Sequence, residues 1–229
     1  MLFTQEAARA NIRNRGGKRV FFLGEKDTLT PGARDFLKRE RIEILPASQA
    51  GTAVYRLQNG ATLTEKPEHM THLHGDVLVL KTHPKIGFRG AIDTLEAELL
   101  WCQSAINPPY SHKVGEILAL ARTLIRCEVL DEPVQQDTIC GLTEAELRSR
   151  SHRPQDFYGQ PHFMPEAADG SAVLALNRCR CAVRAAELAA ARAFTDEAGN
   201  CSRSDILRAL NRMSSMIYIL MIQVKAEGS

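Results

Sequence analysis

The side chains best suited to chemistry lie on one stripe of a long helical segment, residues 173–194. Arg180, Arg184 and Glu187 follow one another at intervals of four and three residues, so a helix places them on one face, and Asn177 extends that stripe. Two guanidinium groups one turn apart repel each other unless an anion lies between or opposite them. A solvated charged face is the alternative. Because the other faces are apolar, we expect the helix to be buried and the stripe to meet a partner.

A second set of candidate residues consists of histidines. His69, His72, His74 and His83 fall within a short stretch, and an H-x-x-H-x-H arrangement could converge on a metal ion. No cysteine lies nearby, and the spacing matches no standard zinc pattern. We therefore predict no metal site, with the four histidines as the alternative.

Long helices must position these groups. Helical patterns begin at Ala91 and near His112, they are separated by Pro108-Pro109, and the last one covers Ser204–Val224. Together with residues 173–194 they predict an antiparallel α-bundle. The segment between Ser151 and Gly170 is expected to be a long loop, and it contains too many aromatic residues for plain disorder.

The N-terminal part has a different pattern. The strand-like runs Arg19–Leu23 and Ile42–Leu45 flank a helix that starts at Thr30-Pro31, which predicts a β-α-β unit. Residues 46–65 are polar and loop-like, and Asn59-Gly60 within them is a hairpin signal. We expect a small N-terminal α/β appendage and loop over residues 1–65, followed by a mainly α, antiparallel four- or five-helix bundle over residues 66–229.

The composition argues against several classes of protein. Apolar residues make up 44% of the chain, charged residues 24%, and the formal net charge is +2, which gives no reason to expect nucleic acid or an anionic membrane as the main partner. The apolar run MIYILMIQV is too short to span a bilayer, and no signal-peptide pattern opens the chain. The six cysteines include no CxxC pair, which indicates reduced thiols in a cytoplasmic protein.

Three separated segments resemble those of the ATP:cob(I)alamin adenosyltransferases. The run LNRMS at residues 210–214 is similar to the LNRLS segment of the PduO-type enzymes. Arg180, Arg184 and Glu187 fit the family pattern R-x-x-x-R-R-A-E-R, although Ala185 and Leu188 replace two basic residues. The segment that starts KTHPKIGFRGAID at residue 81 resembles the family's KDDPRI…GTxDEL, and HFMP at 162–165 lies where the family has F-x-L-P.

The finer resemblance is to the ethanolamine-utilization branch, the EutT-type corrinoid adenosyltransferases. Its signature KPE/D-x-x-THL, then K-x-x-P-x-x-x-FR, is matched by KPEHMTHL from residue 66 and by KTHPKIGFR from residue 81. Members of that branch carry a histidine and a CCxxC cluster upstream of the KP segment as a metal site. The corresponding residues here, AVYRLQNGATLTE, contain no cysteine, and Ser215 replaces the acidic residue of LNRLSD.

The resemblance implies a reaction and roles for individual residues. A four-coordinate cob(I)alamin attacks C5′ of ATP and releases triphosphate, so no general base is needed. The implied catalytic residues are Arg184, Arg180 and Asp93, with Asp93 paired to Arg180 across helices or subunits. The implied ATP-binding residues are Thr71, His72, Lys81, Arg180, Arg184, Glu187 and Asn211, with Mg²⁺ as the counterion.

The corrinoid side needs apolar groups that exclude water and the lower axial ligand. Phe163 and Met164 in the aromatic loop are the candidates, and ordinary loop packing is the alternative for Phe163. Both ATP and the corrinoid are substrates in this interpretation.

The resemblance also implies partners. They are a second or third copy of the chain, in a dimer or trimer with sites between subunits, and ethanolamine ammonia-lyase or its reactivase. The implied location is the cytoplasm, in association with a bacterial microcompartment, without a nucleic-acid or membrane partner. Two other functions stay open, a non-catalytic ATP or corrinoid carrier and a structural partner in an ethanolamine-degrading assembly.

Overall fold

The computed structural model describes residues 2–15, 18–49 and 54–227. The chain divides into two compact units, with the boundary between Lys81 and Thr82. The sequence places this boundary earlier, after residue 65. The difference arises because a strand that follows residue 65 pairs with one that precedes it, so backbone hydrogen bonds keep residues 66–81 in the first unit.

The first unit has small sheets and two short helices. Its elements are β1 (Leu2–Phe3), α1 (Gln5–Ala10), β2 (Arg13–Arg15), β3 (Lys18–Leu23), β4 (Thr28–Leu29), α2 (Pro31–Arg39), β5 (Glu43–Pro46), β6 (Tyr55–Leu57), β7 (Thr62–Leu63), β8 (Met70–His74) and β9 (Val77–Leu80). β3 and β5 pair in parallel, as the crossover through α2 requires, and this confirms the predicted β-α-β unit.

The start of α2 follows from its first two residues. The Thr30 hydroxyl accepts a hydrogen bond from the backbone N–H of Ala33 at 3.2 Å, and Pro31 occupies the first helical position, where no N–H is needed. Phe36 and Leu37 on its inner face are buried in one cluster with Phe21. The helix therefore closes over the sheet through its apolar side.

Residues 46–65, expected to be a loop, contain two strands. β6 and β7 form an antiparallel hairpin, and Gly60 in its turn has a φ of +86°, which glycine adopts without a Cβ clash. The sheet order is β7-β6-β9-β8, and the β8–β9 register shifts between His72 and His74. The hairpin signal at Asn59-Gly60 is confirmed, and the wider loop expectation is wrong because β6 finds a partner in β9.

The second unit is built mainly of helices. Its elements are α3 (Pro84–Ala105), α4 (Tyr110–Leu130), β10 (Thr138–Ile139), β11 (Leu142–Thr143), α5 (Glu144–His152), α6 (Pro154–Tyr158), α7 (Gly170–Phe194) and α8 (Ser204–Glu227). α3 packs against α4 and α7, and α7 packs against α8. The Phe88 and Phe194 rings meet at 5.2 Å, so the start of α3 lies beside the end of α7. The predicted mainly α, antiparallel bundle is confirmed.

The breakers between the helices act as predicted, with one shift. α3 ends before Pro108-Pro109, and α4 ends at Leu130, directly before Asp131, whose φ is +54°. α3 starts at Pro84 rather than Ala91, because His83 Nδ1 accepts a hydrogen bond from the Lys85 N–H at 3.2 Å.

α7 is buried along one face only. Val183, Ala186 and Phe194 belong to the main core, whereas Leu174 is 36% exposed and Leu188 54% exposed. The expectation that α7 is apolar and buried on all its uncharged sides is therefore wrong within the described chain. Among the helices of the described ranges, none combines the length and the apolar character needed to cross a membrane.

Candidate functional site

The polar stripe of α7 faces polar residues of α8. The Asn211 side chain donates a hydrogen bond from Nδ2 to Oε1 of Glu187 at 3.0 Å. The Arg180 guanidinium lies over the Tyr218 ring, with Cζ 5.2 Å from its centroid. Because the two helices run antiparallel, these two contacts lie at different positions along one interface between α7 and α8, which we call the α7–α8 seam. The α7 stripe therefore contacts α8 both at Arg180 and at Glu187.

Arg180 has an unsatisfied group in this seam. Its Nε is buried and has no hydrogen-bond partner among the described residues. A buried N–H without an acceptor costs roughly 1–3 kcal/mol, so an acceptor supplied by a ligand would stabilise this arrangement. Its position beside the exposed Arg184, one turn along α7, makes an anion the fitting ligand.

The predicted pairing of Asp93 with Arg180 is not found within the described chain. Asp93 is exposed on α3, and no ion pair within 4.0 Å joins it to Arg180 in the ranges that the structure covers. α3 and α7 are instead joined by an ion pair between Glu98 and Arg178 at 2.7 Å. The pairing of Asp93 with Arg180 of a second subunit stays a prediction.

The aromatic segment lies along α8 and reaches the same tyrosine. Residues 151–170, expected to be a loop, include the short helix α6 and a 3₁₀ turn at Ala167–Asp169. Phe163 stacks on Tyr218, with ring centroids 6.3 Å apart and planes 22° apart. Met164 beside it is 84% exposed. Tyr218 therefore contacts both the candidate triphosphate residue Arg180 and the candidate corrinoid residue Phe163.

Two further contacts hold this segment. The His162 ring lies 2.9 Å from the Tyr218 hydroxyl through Nδ1 and 3.2 Å from the backbone oxygen of His152 through Nε2. Lys225 Nζ lies 4.4 Å from the Phe163 centroid and 2.5 Å from Oδ1 of Asp169. The segment is anchored to α8 at both ends of the aromatic run.

The remaining predicted ATP-binding residues belong to the first unit. Thr71 is half-buried on β8, opposite Val79. His72 is exposed, and its Nδ1 lies 2.9 Å from the backbone oxygen of Gly75. Lys81 is exposed, with Nζ 3.9 Å from a Glu68 carboxylate oxygen. Their role in ATP binding stays a prediction.

The side chains of His72 and His83 make separate contacts. Among residues 2–15, 18–49 and 54–227, no group of three or more His, Cys, Asp or Glu side chains is placed to hold a metal ion. His83 caps α3, and its burial together with the nearby charges of Lys85 and Arg89 lowers its pKa. The absence of a metal site stays a prediction of the sequence.

A small cavity lies on a different part of α8. Its volume is about 120 Å³, and Asp205, Arg208 and Arg212 of α8 contribute to its wall. The β10–β11 hairpin and Glu144 and Leu147 of α5 also line it. None of the stripe residues lines it, so we treat it as separate from the α7–α8 seam.

Sequence reasoning missed Tyr218. A signal was present, because Asn211, Ser215 and Tyr218 are polar positions at intervals of four and three residues on this helix. The same intervals separate Arg180, Arg184 and Glu187 on α7. Two helices with matching polar stripes are expected to place them together when they pack antiparallel.

Comparisons with known proteins identify relatives along most of the chain. The family model for cobalamin adenosyltransferase matches residues 61–224. The chain is 33% identical over 217 residues to corrinoid adenosyltransferase EutT of Salmonella typhimurium, which covers 85% of this chain and 81% of that protein. It is 34% identical over 160 residues to the protein of the same name from Escherichia coli, which covers 70% of this chain and 60% of that one.

Among solved structures, the chain is similar to a variant of the PduO-type ATP:corrinoid adenosyltransferase from Lactobacillus reuteri, complexed with cobalamin and ATP. The TM-score is 0.49 at 16% sequence identity, and the match covers 79% of this chain and 93% of that one.

Proposed function

Since the chain belongs to the cobalamin adenosyltransferase family, we propose that it transfers the 5′-deoxyadenosyl group of ATP to the cobalt of cob(I)alamin. The products are adenosylcobalamin and triphosphate. In this step the cobalt electron pair forms the bond to C5′ of ATP, the C5′–O bond breaks, and its electron pair leaves with the triphosphate. Because the reduced cobalt is itself the nucleophile, no side chain has to remove a proton.

The observation that supports this proposal best is the pair of guanidinium groups in the α7–α8 seam. The leaving triphosphate gains negative charge as the C5′–O bond breaks, and fixed cations stabilise it most when they need no reorganisation. Arg180 is held over Tyr218 and has a buried Nε without a partner in the described residues, which suits a fixed phosphate ligand. Arg184 adds a second, exposed cation one turn away.

Glu187 and Asn211 supply polar contacts that carry no positive charge. Asn211 is fixed on both sides, because its Nδ2 donates to Glu187 and its Oδ1 accepts from Arg212 at 2.5 Å. Glu187 retains acceptor capacity beyond this bond, since a carboxylate offers about four lone-pair sites. We assign this pair to the ribose hydroxyls or adenine of ATP.

Thr71, His72 and Lys81 are assigned to ATP binding because the family signature contains them. Lys81 would supply a further cation to the phosphates. We expect Mg²⁺ to bind together with ATP. In nucleotide sites this ion takes most of its ligands from phosphate oxygens and water, and it needs few protein side chains.

The corrinoid is assigned to the aromatic segment. Phe163 is half-buried on Tyr218, and Met164 projects an exposed apolar side chain beside it. Apolar groups of this kind can exclude water and the lower axial base from cobalt. Asp93 is assigned to a pairing with Arg180 of a neighbouring copy, which would place the site between subunits of a dimer or trimer.

The cellular role follows from the relatives. Two of them are named corrinoid adenosyltransferase EutT, and the residues of the EutT-type signature are present here. We therefore propose that the product supplies ethanolamine ammonia-lyase in ethanolamine utilization. The lyase or its reactivase is the expected partner, in the cytoplasm or a bacterial microcompartment.

The direct test combines the purified protein with Mg-ATP and chemically reduced cob(I)alamin. Adenosylcobalamin should form, as seen in its absorption spectrum, with one triphosphate released per turnover as measured by anion chromatography. Binding of ATP and corrinoid without product would contradict the transferase and indicate a carrier. Absence of ATP binding would indicate a structural partner.

A further inference from the structure

The hydrogen bonds of His162 indicate which of its ring nitrogens carries a proton. Its Nε2 lies 3.2 Å from the backbone oxygen of His152, and a carbonyl oxygen only accepts, so Nε2 carries the proton. In a neutral imidazole Nδ1 is then the acceptor, and the Tyr218 hydroxyl, 2.9 Å away, donates to it. The His162 side chain thus donates one hydrogen bond to α5 and accepts one from α8.

The two partners belong to different parts of the bundle. His152 is the last residue of α5, and Tyr218 lies in the middle of α8. His162 itself lies in the irregular segment after α6, beside Phe163. Because irregular backbone lacks its own hydrogen-bond ladder, its position depends on side-chain contacts such as these.

The residue next to His162 is the candidate for the corrinoid. Phe163 and the Arg180 guanidinium contact the same Tyr218 ring, at 6.3 Å and 5.2 Å from its centroid. A hydrogen bond to the Tyr218 hydroxyl restrains rotation of this side chain about its Cα–Cβ bond, because that rotation would move the hydroxyl away. His162 is hydrogen-bonded to that hydroxyl and directly precedes Phe163 in the chain.

We propose that His162 is a positioning residue for the adenosyl transfer. Through the Tyr218 hydroxyl and the His152 carbonyl, it fixes Phe163 and Tyr218 in one arrangement at the corrinoid side of the site. This inference rests on the proposed function. It predicts an effect on the corrinoid and little effect on ATP, because the phosphate contacts are assigned to Arg180 and Arg184.

The test compares variants at both ends of the hydrogen bond. His162→Leu replaces the imidazole by an apolar side chain of similar size, and Tyr218→Phe removes only the hydroxyl. Each should reduce the four-coordinate cob(II)alamin signal with saturating Mg-ATP about fivefold, as expected for one lost hydrogen bond of about 1 kcal/mol. The KM for ATP should stay within about twofold of wild type.

A double variant and a rescue variant separate this role from simple packing. Because both changes remove the same bond, the double variant should lose about as much signal as either single variant. His162→Asn, whose amide oxygen can replace Nδ1 as the acceptor, should recover part of the signal. The exposed His112 on α4 provides a matched control as His112→Ala.

A measurement without substrates tests the geometry itself. In protein labelled with ¹⁵N-histidine, the His162 signal, assigned by its loss in His162→Leu, should be that of the neutral tautomer protonated at Nε2. The other tautomer, or a rapidly averaged signal, would overturn the inference. So would a full four-coordinate signal in folded Tyr218→Phe or His162→Leu, or multiplied losses in the double variant. Wild-type protein that makes no adenosylcobalamin would contradict the proposed function instead.

Discussion

Arg89 donates a hydrogen bond from Nε to Oε2 of Glu128 at 2.7 Å, and the Glu128 side chain is only 2% exposed. Lys85 Nζ lies 3.6 Å from the other carboxylate oxygen. One buried carboxylate therefore pairs with two cations of α3 and ties α3 to α4.

Loss of the Glu128 carboxylate should destabilise the bundle. Removal of one partner of a buried ion pair leaves the other charge uncompensated, and we expect Glu128→Ala to lower the free energy of unfolding by about 3 kcal/mol. Urea unfolding followed by circular dichroism measures the change. Glu116→Ala, an exposed acid on the same helix, is the control and should change it by less than about 0.5 kcal/mol. Equal effects of the two variants would contradict the assignment.

Arg184→Ala should abolish or nearly abolish turnover in a folded protein. The side chain is exposed, so the fold should persist, and loss of one fixed cation at a developing charge typically costs about 100-fold or more in kcat. Initial rates with cob(I)alamin and Mg-ATP provide the measurement. Arg192→Ala, also exposed on α7, serves as the control. Near-normal activity of Arg184→Ala would remove the triphosphate role.

Phe163→Ala should act on the corrinoid and spare ATP. Loss of a partly buried apolar side chain should cut the four-coordinate signal and the rate from cob(II)alamin about tenfold. The loss should be smaller with chemically reduced cob(I)alamin, because the axial base impedes reduction rather than alkyl transfer. Phe157→Ala, which removes an exposed ring of α6, is the control. Equal losses from both starting states, or none, would exclude this role for Phe163.

Activity should not depend on a bound transition metal other than the substrate cobalt. The CCxxC cluster of the EutT-type branch is missing from this chain. After dialysis against a chelator and return of Mg²⁺, the rate should equal that of untreated protein, with the metal content measured by mass spectrometry. Stoichiometric zinc or iron that is lost together with activity in His72→Ala or His74→Ala would prove the prediction wrong.

The start of α8 should contribute to acid unfolding. The Arg203 guanidinium donates to Asp205 and holds the pKa of that carboxyl at about 2, below its ordinary value of 3.8. Because the folded-state pKa is the lower one, the stabilisation is complete above the ordinary value and is lost as the pH falls toward 2. We expect it to amount to at most about 2.5 kcal/mol, since the pKa falls from 3.8 to about 2 and one pKa unit corresponds to about 1.4 kcal/mol.

The comparison of wild type with Asp205→Asn measures this contribution. Urea unfolding at several pH values should show a steeper loss of stability in wild type than in the variant over this acidic range. Asp156→Asn, at a carboxylate that is 61% exposed, is the control. Parallel pH dependences of wild type and Asp205→Asn would contradict the prediction.

The long helices could be predicted because their signals are local. Periodic apolar residues and the Pro108-Pro109 break specify α3, α4, α7 and α8 without knowledge of the fold. The strand pairing of β6 with β9 could not be predicted in this way, because its partners are distant in sequence and short.

Part of the candidate site could likewise be predicted from local sequence, and part of it depends on how the helices pack. The stripe of Arg180, Arg184 and Glu187 is visible as a spacing on one helix. Its contact with Tyr218 depends on the relative rotation of α7 and α8, which only packing determines. The segment around His162 was expected to be a loop, since its anchoring contacts are made by single side chains rather than by a periodic pattern.

The connection between α7 and α8 is short. Thr195 and Cys201 form a β-bridge within it, and Ser202 donates a backbone hydrogen bond to Phe194 at 2.8 Å. The Glu187–Asn211 bond spans only 24 residues around this turn, so closing that loop costs little chain entropy. The contacts between α7 and α8 can therefore form first near the turn and then along the helices away from it. Backbone amides around Glu187 should show slow hydrogen exchange once α7 and α8 have paired. The proposed nucleotide contacts of Arg180, Arg184, Glu187 and Asn211 all lie on one contiguous helical hairpin, which can form before distant parts of the chain have found their partners.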